Sequence, residues 1–202
     1  EKMTKGFGPL LPGFVHLDWA DHEGLQAAIT DTTAAILIEP VQGEGGIIPV
    51  PDQCLKGLRD LCDTHGILLI FDEVQCGVGR TGRLFAHEWA GIEPDIMMVA
   101  KGIGGGFPLG AVLASEEAAS GMTAGTHGST YGGNPLGCAV GCAVMDHVNT
   151  PDFLVEVNRK SGLLRQKLDG MVADNPEVFE DVRGAGLMLG LRCKAPNIDV
   201  VN

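Results

Sequence analysis

No apolar run in this 202-residue chain approaches the roughly 20 residues that a membrane span requires, which excludes a bilayer-crossing helix. Positive charge is scarce. Lys and Arg number 14 against 26 Asp and Glu, giving a formal net charge of -12. The acidity is spread without a block of like charge, which argues against non-specific nucleic-acid binding and for a soluble protein. The opening stretch EKMTKGFGPLLPGF lacks the apolar core of a signal peptide, so a cytoplasmic location is expected. Neither C-x-x-C nor H-x-x-x-H occurs, and no metal site is expected. The six cysteines (54, 62, 76, 138, 142 and 193) sit in a chain large enough to build a core without disulfides, and they read as reduced thiols. Cys138 and Cys142, four apart on a small-residue helix, read as packing residues.

Glycine is abundant instead. Its 30 residues are about twice the average share and cluster between Gly43 and Gly141 without repeating. Backbone in that region therefore needs positive φ or close approach at many points.

Residues 1–20 read as an extended lead-in, followed by a short helix over 22–30. AAILIEP (34–40), ILLIFD (67–72), DIMMVA (95–100) and GAVLAS (110–115) read as four strands. A helix with Asp52 as N-cap and Gly66 just past its end separates the first two. The strands are continuously apolar, which predicts a parallel α/β sheet covered on both faces. Helices are expected over 134–148 and 152–173. Near residue 150 glycine thins and charge rises, so we expect a domain boundary there, with 1–150 in a large domain and 151–202 opening a smaller one. VFEDVRGAGLMLGLRC (178–193) reads as strands of that second unit.

Three strands end in ionisable residues, Glu39, Asp72 and Lys101, each followed closely by a glycine-rich turn. In open α/β sheets, functional groups gather at the carboxyl ends of strands. A lysine in that position either snorkels to the surface or is partly desolvated, as a carbonyl-attacking amine must be. A carboxylate there either caps backbone N–H groups or pairs with a cation such as a protonated pyridine nitrogen. Pyridoxal phosphate needs both a lysine and an acid of this kind. A different reading, that Gly77, Gly79 and Gly82 form a dinucleotide-binding G-x-G-x-x-G turn, fails on context. EVQC separates the strand from the first glycine, Arg80 and Arg83 flank the last, and Asp95 begins a strand instead of ending one.

AAILIEPVQGEGG, LLIFDEVQCGVGRTG, VAKGIGGGFPLGA and HGSTYGGNPLGCA, in this order and with 29 positions from Asp72 to Lys101, resemble the class III pyridoxal-phosphate-dependent aminotransferases over essentially the whole chain. The resemblance implies fold type I: part of the large, mostly parallel-sheet domain plus the start of a smaller C-terminal α/β domain. It implies pyridoxal 5'-phosphate as cofactor, with Lys101 as Schiff-base lysine and proton carrier and Asp72 beside the pyridine nitrogen. Val74 would pack on the ring and Gln75 would reach its 3-oxygen. Ser129 and Thr130 would lie at the phosphate of the neighbouring subunit's cofactor, which makes a homodimer the active unit. Glu44 would be a switch residue that moves aside for a dicarboxylate, and Glu39 would support the site by hydrogen bonding near Asp72. Arg80 reads as structural. Glu73 is left to cap the turn or to pair with Arg80 or Arg83.

The implied reaction moves the terminal amino group of N-acetylornithine to 2-oxoglutarate, in arginine biosynthesis. The rivals are ornithine, succinylornithine or 4-aminobutyrate as donor, or an inert remnant that only folds or dimerises. The family's chains run roughly twice this length, well above one typical domain, so an internal fragment or truncated product is expected. The phosphate-binding Gly-Thr turn, the ring-stacking aromatic residue and the carboxylate-binding arginine would then lie outside it.

Overall fold

The computed structural model describes residues 4–201, which separate into two units, one ending at Ala34 and one beginning at Ala35. In the first, α1 (His22–Ala28) starts where the Asp21 carboxylate accepts a hydrogen bond from Gly24 N at 2.8 Å. That bond satisfies one of the donors a helix start leaves free. The described part of the lead-in before it holds no helix or strand, as expected, and its first three residues lie outside the described range.

The second unit holds the sheet. After β1 (Ala35–Ile38), the chain makes a small hairpin, β2 (Val41–Gln42) with β3 (Ile48–Pro49), and enters α2 (Asp52–His65). Asp52, expected as the N-cap, is instead the first helical residue. Pro51 takes the cap position in extended geometry, with no side-chain cap bond. Gly66 ends the helix in left-handed conformation at φ 64°, as its lack of Cβ permits. β4 (Leu68–Asp72) then pairs parallel with β1, and β5 (Ile96–Val99) pairs parallel with β4. β6 (Ala111–Ala114) closes the order β1-β4-β5-β6 but runs antiparallel to β5, so the sheet is mostly parallel, as the resemblance implies, with one antiparallel edge. The reason is the short connection. No helix of crossover length lies between β5 and β6, and a parallel return needs one.

Coverage of the sheet also differs from expectation. Along β4, Leu69 and Phe71 are fully buried while their neighbours are half-buried. α2 packs on β1 and β4 and buries Leu55 and Cys62. Leu37 is exposed, as are all four residues of β6. Among the described residues, the sheet is therefore covered on only part of its surface.

α3 (Glu116–Ala119) precedes the glycine-rich α4 (Pro135–Val148), which begins at an Asn134 cap, and then α5 (Pro151–Asp174). α4 turns Gly137, Gly141 and Val148 inward. A Cβ on Gly141 would stand 2.9 Å from Leu109 Cδ2, so only glycine permits this approach without a shift. Cys138 and Cys142 are exposed, which corrects the packing role expected of them: the glycines, not the thiols, make the contact. All six cysteines are free. β7 (Phe179–Ala185) and β8 (Met188–Cys193) form a separate antiparallel pair, and α6 (Asn197–Val201) follows. No helix among the described residues is long and apolar enough to cross a membrane.

Candidate active site

The carboxyl ends of β1, β4 and β5 lie side by side because these strands are parallel neighbours. Asp72 is in register with Met98, three positions before Lys101, so the acid and the lysine leave adjacent strands in the same direction. Asp72 is half-buried, and its Oδ1 accepts a hydrogen bond from Val74 N at 2.9 Å. This is the capping arrangement left open above. Oδ2 accepts no bond among the described residues, so a cationic partner still has an acceptor.

Lys101 starts a short 3-10 helix (Lys101–Gly104) in left-handed conformation at φ 45°. Its side chain is exposed, so the partial desolvation expected of a strand-terminal lysine is not present. The early turn carries it past the strand end and into an open cleft of about 370 Å³, which Gln75, Val78, Arg80 and Ile47 also line. Residues Leu187 to Leu189, from the β7–β8 turn and the start of β8, line it too, as do Gly77 and Gly102.

Gln75 occupies the space that a side chain on Gly43 would take, which brings the β2–β3 loop against the segment after β4. Glu39, expected to hydrogen bond near Asp72, instead accepts from Gly43 N at 3.0 Å and braces that loop. Glu44 is exposed at the tip of the same loop. Val74 is half-buried beside Asp72 and does not line the cleft. Ser129 and Thr130 are exposed and outside it, and Ser129 Oγ accepts from Gly132 N at 2.9 Å. Of the expected residues, then, Lys101 and Gln75 share one cleft. Asp72 stands at the neighbouring strand end, Glu39 and Glu44 belong to an adjoining loop, and Ser129 and Thr130 lie apart.

Glu73 neither pairs with Arg80 nor with Arg83. It is 1% exposed and accepts from Ala86 N at 2.6 Å, His87 N at 2.9 Å and His87 Nδ1 at 2.8 Å. It thereby caps the 3-10 helix Ala86–Trp89, thirteen residues downstream. Arg83 lies over the Trp89 ring, 4.7 Å from its centroid. Arg80 makes no ion pair among the described residues and lines the cleft, a place its structural reading missed. Burial, reinforced by the Glu73 charge, pushes the Cys76 thiol up to about 12 and keeps it neutral beside the site.

A primary amine and an amide thus share a glycine-lined cleft, and a carboxylate with a free acceptor ends the adjacent strand. That set suits a flat, carbonyl-bearing ligand with a cationic ring atom.

The family model described as Aminotransferase class-III matches residues 1–201. An acetylornithine aminotransferase of Rhodobacter capsulatus is 71% identical over 201 residues, covering 100% of this chain and 51% of that protein. One from Mesorhizobium japonicum is 62% identical, covering 98% of this chain and 50% of its own length. Among solved structures, the acetylornithine aminotransferase of Elizabethkingia anophelis matches with TM-score 0.85 at 34% identity, over 94% of this chain and 48% of that one. The ornithine aminotransferase of Toxoplasma gondii matches with TM-score 0.85 at 36% identity, over 92% of this chain and 45% of that one. The chain spans about half the length of the curated relatives it matches.

Proposed function

The chain belongs to the class III aminotransferase family, and on that premise we propose that it is the lysine-bearing part of an enzyme that moves the terminal amino group of N-acetylornithine to 2-oxoglutarate. Its α/β fold is that of the pyridoxal-phosphate-dependent aminotransferases, fold type I, and its cofactor is pyridoxal 5'-phosphate. The observation that carries the reading is that Lys101 and Gln75 line one cleft while Asp72 ends the adjacent parallel strand. The donor class rests on relatives of 62% and 71% identity that are named acetylornithine aminotransferases.

When bound, the cofactor supplies an electron sink for the donor's carbon. Lys101 Nζ would hold it and would move the proton at the amino-bearing carbon of the donor. The free oxygen of Asp72 would face the ring nitrogen and stabilise its positive charge. Gln75 would donate to the ring oxygen and Val74 would pack on the ring. Glu39 steadies the loop that carries Glu44, the switch residue that would move aside when a dicarboxylate binds. Ser129 and Thr130 serve the phosphate in a partner subunit of a homodimer, a reading supported by the exposure of residues 121–133. Residues 1–150 belong to the large domain and 151–202 to the start of the smaller one. The reaction belongs to arginine biosynthesis, and we place it in the cytoplasm.

The test is rate measurement on N-acetylornithine, ornithine and 4-aminobutyrate with the longest natural gene product that contains this segment. We expect N-acetylornithine to be fastest, Lys101→Ala to lose the near-visible cofactor band and all turnover, and Asp72→Asn to lose about three orders of magnitude in rate. Faster turnover of 4-aminobutyrate would overturn the donor assignment. Near-parent activity of Asp72→Asn would overturn the acid's role.

A further inference from the structure

Four described residues other than glycine have positive φ, and three of them, Ile47, Val78 and Lys101, line the same cleft. For a β-branched residue such a φ is a genuine outlier, and strain of this kind collects where a site must be held in one shape.

Val78 is the most informative. It occupies the first central position of a tight turn that Arg80 N closes by donating to Gly77 O at 3.3 Å. Val78 and Gly79 have φ of 53° and 80°, the pattern of a type I′ turn. At that position Asn or Gly is relaxed and Val is not. The local turn therefore gives no reason for valine.

The reason lies across the cleft floor. A Cβ built on Gly102 would stand 3.2 Å from Val78 Cβ and 3.6 Å from its Cγ1, so the branched side chain rests directly on the backbone next to Lys101. Lys101 is itself left-handed, and the first bond behind it, from Ile103 N to Ala100 O at 3.2 Å, is a short 3-10 turn. On the other side, a Cβ on Gly105 would meet Val144 Cγ2 of α4 at 2.8 Å. The lysine turn is thus backed by Val78 on one side and by α4 on the other.

We infer that Val78 is a positioning residue for Lys101: its strained turn presses a branched side chain on Gly102 and holds the left-handed turn that projects Lys101 into the cleft. The inference rests on the assignment of Lys101 made above.

The test uses Val78→Asn, which suits the turn but loses the branched contact, and Val78→Ile, which keeps it, in the same gene product. We expect Val78→Asn to unfold at a higher temperature than the parent in the cofactor-free state, yet to exchange the Ile103 amide faster. With cofactor, its kcat should fall about tenfold while KM stays within about twofold, the pattern of a misplaced reacting group. Val78→Ile should match the parent in all four. A Val78→Asn protein that loses thermal stability and kcat together would show a mere packing residue and overturn the inference. Parent-like kcat and exchange would overturn it as well. Failure of the underlying assignment shows elsewhere: Lys101→Ala would keep the near-visible cofactor band, while exchange at Ile103 still reports whether Val78 holds the turn.

Discussion

At the scale of single residues, the most constrained group is Glu73, next to the acid expected to carry function. A buried carboxylate is tolerated only if its acceptors are used, and Glu73 uses them on two backbone N–H groups and one imidazole nitrogen. Its own N donates to Met98 O at 2.9 Å and its O accepts from Gly77 N at 2.9 Å, so both flanks are fixed as well. Asp72 on one side and Val74 and Gln75 on the other are therefore set by a residue that faces away from them. Removing the side chain leaves three donors buried without a partner. Glu73→Ala should cost about 3 kcal/mol in urea unfolding, and Glu73→Gln less, because one amide oxygen can still accept. A loss below about 1 kcal/mol for the alanine variant would contradict the anchoring role. The DE pair itself was legible as strand-terminal acids. The partner of the second acid was not, since the Ala86–His87 amides are brought to it by a fold-back that no local pattern announces.

At the scale of elements, the β7–β8 pair owes its place to its turn. Leu187 N donates to Arg80 O at 2.9 Å, and Ser161 Oγ of α5 donates to Gly186 O at 2.6 Å. Arg165, also on α5, donates to Gly184 O at 2.9 Å, and Asn158 Nδ2 to Gly82 O at 2.9 Å. The polar face of α5 thus binds the hairpin and the 80–82 segment together. Gly186 has φ 56°, and a Cβ there would lie 2.6 Å from Arg80 O, with backbone atoms of Thr81 nearer still. Gly186→Ala should therefore destabilise by about 3 kcal/mol and separate the hairpin from Arg80, measured as faster amide exchange at Leu187. An alanine variant as stable as the parent would refute this docking. The strands themselves were readable from VFEDVRGAGLMLGLRC, because apolar residues and glycine punctuation are local. Their contact with the cleft was not, because it depends on backbone groups, which carry no sequence signature.

At the scale of the whole molecule, the succession of strands along the chain and the strand-end placement of Glu39, Asp72 and Lys101 were legible, since apolar runs and the residues that stop them set both. The antiparallel β6 and the exposed stretches of sheet were not: apolar strands record what they are able to bury, not what covers them in 202 residues. One consequence of the core that does form is a pH limit on stability. Burial pushes the Cys62 thiol up to about 11 and that of Cys76 up to about 12, from an ordinary value of 9.0. Below the ordinary value both thiols are neutral in the folded and unfolded chain alike, and their burial contributes in full. As pH rises past it, the unfolded chain releases these protons first, so the equilibrium shifts towards unfolding, and the contribution is lost as pH passes the folded values. Urea midpoints should therefore fall as pH rises from about 9 towards 11. The fall should be shallower in a Cys62→Ala/Cys76→Ala protein, whatever stability that protein loses at neutral pH from its two small cavities. Every other side chain is common to both proteins, so the difference in slope isolates the two thiols. Identical slopes would mean that neither thiol is kept neutral by the fold.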